Sequence, residues 1–174
     1  MTDEPDYIDR ARHRELSGRT RARWGRRAVL VVLLAFVVAG LANVFGQRAT
    51  TSVAQGPDVR LQVRAPERLR GGLLYQARFQ VRAATAIAKP TIVLERGWLE
   101  GMTINTIEPQ PVQESSDGRR LVLQLQPLRP GHVDILYMQF QVNPTTVGRR
   151  SQQVRLTDGS RTLLVVHRTV TVFF

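Results

Sequence analysis

Residues 28–46 read AVLVVLLAFVVAGLANVFG and carry no charged side chain. At about 1.5 Å per residue, a helix of this length spans about 28 Å, close to the roughly 30 Å hydrocarbon core of a bilayer. A soluble helix needs a polar face, and Val29 through Val38 offers none at any spacing. Val, Leu and Phe each favour insertion by a few tenths of a kcal/mol, so together they contribute several. Asn43 is the single clearly polar side chain, and it lies near the far end, within reach of headgroup water. The segment is expected to cross a membrane.

Flanking charge sets the expected orientation. Arg10, Arg12, Arg14, Arg19, Arg21, Arg23, Arg26 and Arg27 precede the apolar run, while only Arg48 follows it closely. The positive-inside rule then places residues 1–27 in the cytoplasm, as a basic and largely disordered segment, and residues 47–174 outside the plasma membrane. Trp24 stands one turn before the run, where an indole suits the interface, and the nearby arginines attract anionic inner-leaflet lipid. A cleaved export signal is the competing reading. Gly40-Leu41-Ala42 and Ser52-Val53-Ala54 have small residues where a signal peptidase requires them, and Arg26-Arg27 resembles a twin-arginine signal. The long basic region and the length of the apolar run favour an uncleaved anchor.

Residues 49–57 (ATTSVAQGP) are small and polar, so 47–57 is expected to be a linker. The rest, 58–174, alternates with a period of two, the mark of half-buried strands. Val59, Leu61 and Val63 alternate with Arg60, Gln62 and Arg64. Tyr75, Ala77, Phe79 and Val81 alternate with Gln76, Arg78, Gln80 and Arg82. Further strands are expected at 91–96, 102–107, 121–125, 133–142, 152–157 and 162–173. Asp117-Gly118 and Asp158-Gly159 are hairpin signals. In 133–142 the apolar phase slips after Ile135, as a β-bulge or a strand buried on both faces would require. Seven or eight short strands argue for an all-β, antiparallel β-sandwich behind one transmembrane helix.

The turns carry a resemblance. Gln126-Pro127-Leu128-Arg129-Pro130-Gly131, a strand, Asn143-Pro144-Thr145-Thr146-Val147-Gly148, a strand, then Asp158-Gly159 resembles bacterial extracytoplasmic immunoglobulin-like modules of the CARDB and fibronectin-III kind. It covers roughly 58–174 and implies an immunoglobulin-like fold with interaction or spacer roles. The immunoglobulin cysteine pair is absent, and Tyr137 has no cysteine two residues on to complete a tyrosine corner.

Composition narrows the chemistry. The absence of cysteine excludes a disulfide scaffold, Cys-ligated zinc, an iron–sulfur cluster and a thiol nucleophile. Among residues 47–174, His132 and His167 are the only histidines, and no Gly-x-Ser-x-Gly or Ser-x-x-Lys pattern occurs. Asp134 shares a strand face with His132, yet His132, Asp134 and His167 lack any metal-ligand spacing. No catalytic residue, cofactor or metal is expected, and an envelope hydrolase using His132 is the remotest reading.

The net charge of +11, nearly all arginine, divides into +3 before the apolar run and +8 after it. Nucleic acid is not expected as a partner, because Tyr75 and Phe79 fall on the opposite strand face from Arg78 and Arg82 and form no stacking platform. If 59–64 and 73–83 share a sheet, Arg60, Arg64, Arg78 and Arg82 share its outer face. Such a face suits an anionic envelope polymer, lipid headgroups or an acidic protein. An ordinary solvated face is the plainer account. Trp98 and Leu99, between Gly97 and Gly101, are a second contact candidate, although burial of Trp98 is expected because exposed indoles without a partner are uncommon.

The expected protein is a single-pass, non-enzymatic envelope protein that presents a sandwich to a protein or anionic partner. The alternative is a binding protein for an anionic ligand, released by signal cleavage.

Overall fold

The computed structural model describes residues 19–42 and 47–174, which belong to two separate compact units. Helix α1 (Arg19–Leu41) starts nine residues before the apolar run. Residues 19–27 are therefore helical, which corrects the expectation of disorder for that stretch; arginine and alanine are good helix formers. The Arg23–Leu41 portion is long and apolar enough to cross a membrane, and none of it is buried inside the protein. The guanidinium of Arg27 lies 6.0 Å from the Trp24 ring centre. Residues 1–18 and 43–46, which include the expected far end of the span, lie outside the described residues.

The second unit is built of strands: β1 (Ala49–Gln55), β2 (Val59–Pro66), β3 (Arg68–Arg70), β4 (Leu74–Ala83), β5 (Pro90–Leu94), β6 (Met102–Glu108), β7 (Gln113–Ser116), β8 (Leu121–Gln124), β9 (Val133–Val142), β10 (Gly148–Ser151), β11 (Val154–Asp158), β12 (Arg161–Val166) and β13 (Thr169–Phe173). One sheet runs β1-β2-β4-β9-β6 and a second β12-β11-β5-β8-β7. A smaller sheet, β10-β13-β3, completes the unit. The inner residues of all three join one buried core, with Leu61, Phe79, Met138 and Phe140 from the first sheet meeting Ile92, Leu94, Leu123 and Leu156 from the second. The fold is the expected β-sandwich.

Its details depart from expectation where short polar strands hide. Ala49–Gln55, expected as linker, is a full strand that pairs with β2 from Ala49↔Pro66 to Gln55↔Arg60. β3, β7 and β10 are likewise additional, and β13 pairs with β3 in parallel. The single strand expected at 162–173 is two, broken at His167 and Arg168, so that β12 joins β11 while β13 joins β10. The slip seen in 133–142 is not a bulge in that strand, because β9 pairs with β4 without interruption from Val133 to Gln141. The bulge lies in its other neighbour, β6, between Ile104 and Thr106. Ile135 is half-buried on the outer face opposite Gln80, which explains the mixed phase.

A one-turn 3-10 helix at Arg96–Trp98 joins the second sheet to the first and drives the Trp98 indole into the core. Trp98 is fully buried, 5.3 Å from the Phe79 ring and 5.6 Å from Phe140. Gly97 permits this seat: a Cβ there would lie 1.9 Å from the Ser151 carbonyl oxygen. Gly101 closes the turn at φ +72 against Thr146, whose hydroxyl donates to the Gly101 carbonyl. Gly97→Ala is expected to abolish cooperative folding, whereas Trp98→Ala should fold with about 3–5 kcal/mol less stability in urea unfolding.

Candidate anion-binding face

β2 as far as Ala65 and the whole of β4 alternate, so burying Leu61, Val63, Phe79 and Val81 forces their neighbours outward. The register places Arg60 directly opposite Arg82 and Arg64 directly opposite Arg78, with Gln62 opposite Gln80 between them. The four expected arginines are thus brought together as two like-charged cross-strand pairs. Strand geometry sets the pairs about 13 Å apart along the sheet, and the strands about 5 Å apart. A groove of about 240 Å³ lies between Arg60, Gln62, Gln80 and Arg82. A smaller one, of about 70 Å³, lies between Thr51, Gln62, Arg64, Arg78 and Gln80.

Like charges directly opposite one another destabilise a sheet, and this face offers them little relief. Among the described residues the ion pairs are Arg96–Glu100, Arg120–Glu95 and Arg155–Glu95, all elsewhere. Arg78 donates from Nη2 to Gln80 Oε1 at 2.9 Å and lies 5.8 Å from the Tyr137 ring centre, while its Nε meets no acceptor. Arginine forks aimed outward without carboxylates match phosphate or carboxylate groups bidentately.

Trp98, the other contact candidate, is withdrawn from any surface by its burial. His132 and His167 are exposed, and Asp134 accepts a hydrogen bond from its neighbour Ile135 N–H at 2.9 Å. Among the described residues no three His, Asp or Glu side chains come together as a metal site would require. Of the helix flank, Arg23, Trp24, Arg26 and Arg27 are exposed on α1; Arg19 and Arg21 fall within the same helix.

A buried polar group escaped sequence reading. Arg168, 5% exposed, donates from Nη2 to the carbonyls of Ala65 and Pro66 at 2.8 and 3.1 Å and lies 5.5 Å from the Trp98 ring centre. Burial lowers its pKa, and Glu67 opposes that shift. Beside it, Gln152 donates to the Tyr75 hydroxyl, which donates to Met102 Sδ at 3.0 Å. The signal was available in the pattern: Arg168 occupies the inward phase between Val166 and Val170, where an arginine has no reason to be on charge grounds alone.

No known family profile matches this chain, and no curated protein does. Solved structures similar to it include a CARDB domain from Pyrococcus furiosus, at 13% identity and a TM-score of 0.45, covering 68% of this chain and 97% of that one. The reeler domain of human F-spondin is similar at 15% identity and a TM-score of 0.42, covering 74% and 97%. A non-cellulosomal cohesin from Archaeoglobus fulgidus is similar at 10% and 0.38, covering 73% and 92%. All three are immunoglobulin-like β-sandwich domains.

Two outcomes follow from this geometry. Arg82→Glu replaces a repelling pair by an attracting one and should raise stability by a few tenths of a kcal/mol, read as a higher urea midpoint. Burial also pushes the Tyr75 phenol above its ordinary pKa of 10.0. The folded state keeps Tyr75 neutral while the unfolded chain ionises it, so the associated stability is present below about pH 10 and is lost as pH rises further. The urea midpoint should fall steeply above that pH, and Tyr75→Phe should lessen the fall.

Proposed function

We propose that this chain is a single-pass membrane protein, N-terminus inside, whose external sandwich binds an anionic envelope partner through Arg60, Arg64, Arg78 and Arg82. It works by binding, not catalysis. The observation that carries the reading is the pair of directly opposed arginines, repeated, with grooves between them and no carboxylate partner among the described residues. An isolated sheet gains nothing from such an arrangement. A ligand bearing phosphates or carboxylates along its length turns the repulsion into paired contacts, each contributing about 1.5–3 kcal/mol.

The anchored form is favoured over a released one by the length of α1 and the arginines at its start. Cleavage after Ala54 would strip away β1, which pairs along its whole length with β2. Cleavage after Ala42 would leave the sandwich whole. Alkaline extraction of membranes followed by N-terminal sequencing distinguishes the forms: the anchored chain stays in the pellet with its first residues intact, and a mature terminus at Asn43 would replace it with the released one.

The binding claim is tested on the purified full-length chain and isolated envelope material. Replacing Arg60, Arg64, Arg78 and Arg82 by Gln should weaken binding at least about tenfold, since 1.4 kcal/mol is tenfold in affinity, and should flatten its dependence on salt. The same substitution at Arg119, Arg129 and Arg161 should change it little. Unchanged binding by the fourfold variant would refute the assignment.

A further inference from the structure

Exposed apolar side chains are unevenly placed on the sandwich. Leu73, Leu74, Val147, Phe173 and Phe174 are 47%, 50%, 40%, 48% and 84% exposed, and they crowd one end, where Tyr137 lines a groove with Leu74; Val53 and Val112 stand singly elsewhere. The backbone ties the crowded segments together. Gly71 N–H donates to the Phe173 carbonyl at 2.8 Å, and Val142 N–H donates to the Leu73 carbonyl at 3.0 Å. Exposed arginines stand among them: Arg68 and Arg70 on β3 and Arg149 on β10, with Arg70 Nε donating to the Phe174 carbonyl at 3.4 Å. Single exposed leucines need no explanation, but a cluster rimmed by charge marks a contact surface.

The chain itself says what this end adjoins. It is the end at which β1 begins, since Ala49 pairs with Pro66, and Gln47 and Ala49 line one groove with Leu74. Helix α1 ends at Leu41, so residues 42–48 connect it to β1. Seven residues reach no further than about 25 Å. If α1 is the membrane span, as proposed above, the apolar end is held beside the bilayer.

We propose that this end of the sandwich rests on the lipid surface. Leu73, Leu74, Phe173 and Phe174 sink into the boundary between headgroups and acyl chains, typically 5–10 Å deep for such contacts, and Arg68 and Arg70 pair with lipid phosphates. Charge decides between lipid and a second copy of the chain. A two-fold pairing would set Arg68, Arg70 and Arg149 near their own counterparts, whereas phosphates complement them. Resting on this end also stands the strands upright. The Arg64–Arg78 row then lies nearer the bilayer and the Arg60–Arg82 row about 13 Å further out, so the anion-binding face looks sideways, toward envelope molecules and away from lipid.

The chain has no cysteine, so single thiols can be introduced and labelled. Full-length Leu73→Cys and Phe174→Cys, and Ser160→Cys in the β11–β12 turn at the opposite end, are labelled with an environment-sensitive fluorophore. Each is reconstituted into equimolar phosphatidylcholine–phosphatidylglycerol vesicles, with and without a nitroxide-bearing lipid. The probes at 73 and 174 should shift to the blue and lose roughly half their emission or more to the nitroxide, as contact at the acyl boundary requires; the probe at 160 should do neither. A blue shift without nitroxide quenching identifies a second copy as the occupant and overturns the proposal. Unshifted, unquenched probes on protein that floats with the vesicles overturn it while leaving the span intact. Protein that does not float with the vesicles removes the span, and the proposal with it.

Discussion

The sandwich is organised around the indole of Trp98. It sits on the crossover from the second sheet to the first, against Phe79 of β4 and Phe140 of β9, with the Arg168 guanidinium over its ring. The seat exists because Gly97 lets the backbone pass the Ser151 carbonyl, and because Arg168 spends its Nη2 hydrogens on the Ala65 and Pro66 carbonyls. A buried guanidinium costs several kcal/mol when unpaired. Two charge-assisted hydrogen bonds, the ring beneath it and the nearby Glu67 offset part of that cost. The plug holds Phe79 inward, and the period of two then holds Arg78 and Gln80 outward. The core therefore determines which side chains the outer face can offer.

What it offers is out of balance with itself. Arg60 faces Arg82, and Arg64 faces Arg78, on adjacent strands of one sheet. A surface selected for stability alone would alternate charges across that ladder, as it does where Glu95 meets both Arg120 and Arg155. The contrast within one small domain separates the arginine-rich composition, which affects every surface, from the local arrangement, which affects this one. The same domain places its apolar surplus at the end where β1 begins. The two surfaces differ in chemistry, one polar on a sheet face and the other apolar at the strand ends, and they meet in one groove where Leu74 lies with Arg64 and Arg78.

Much of this was legible in the residues. The alternation in 59–64 and 73–83 revealed β2, β4 and the shared face of four arginines, because a half-buried sheet enforces a period of two. Asp158-Gly159 marked the β11–β12 hairpin for the same local reason, a turn conformation that glycine adopts freely. What escaped was non-local. Ala49–Gln55 has no apolar alternation strong enough to mark a strand, and it becomes one by pairing at the edge of β2. The break at Arg168 falls inside an unbroken period of two and arises from the chain changing sheets. That Arg60 meets Arg82, the fact on which the functional reading turns, is a matter of register, which neither strand specifies alone.

The central claim is that the opposed arginine pairs are a site waiting for an anion, and ligand-linked stability tests it most directly. A ligand that binds only the folded state raises the unfolding temperature by mass action. Thermal unfolding of the full chain in neutral detergent, at fixed ionic strength, is followed with rising inorganic polyphosphate. The account predicts a progressive rise for the natural sequence and none for the variant with Gln at 60, 64, 78 and 82. An equal rise in both proteins, or no rise in either, would contradict it.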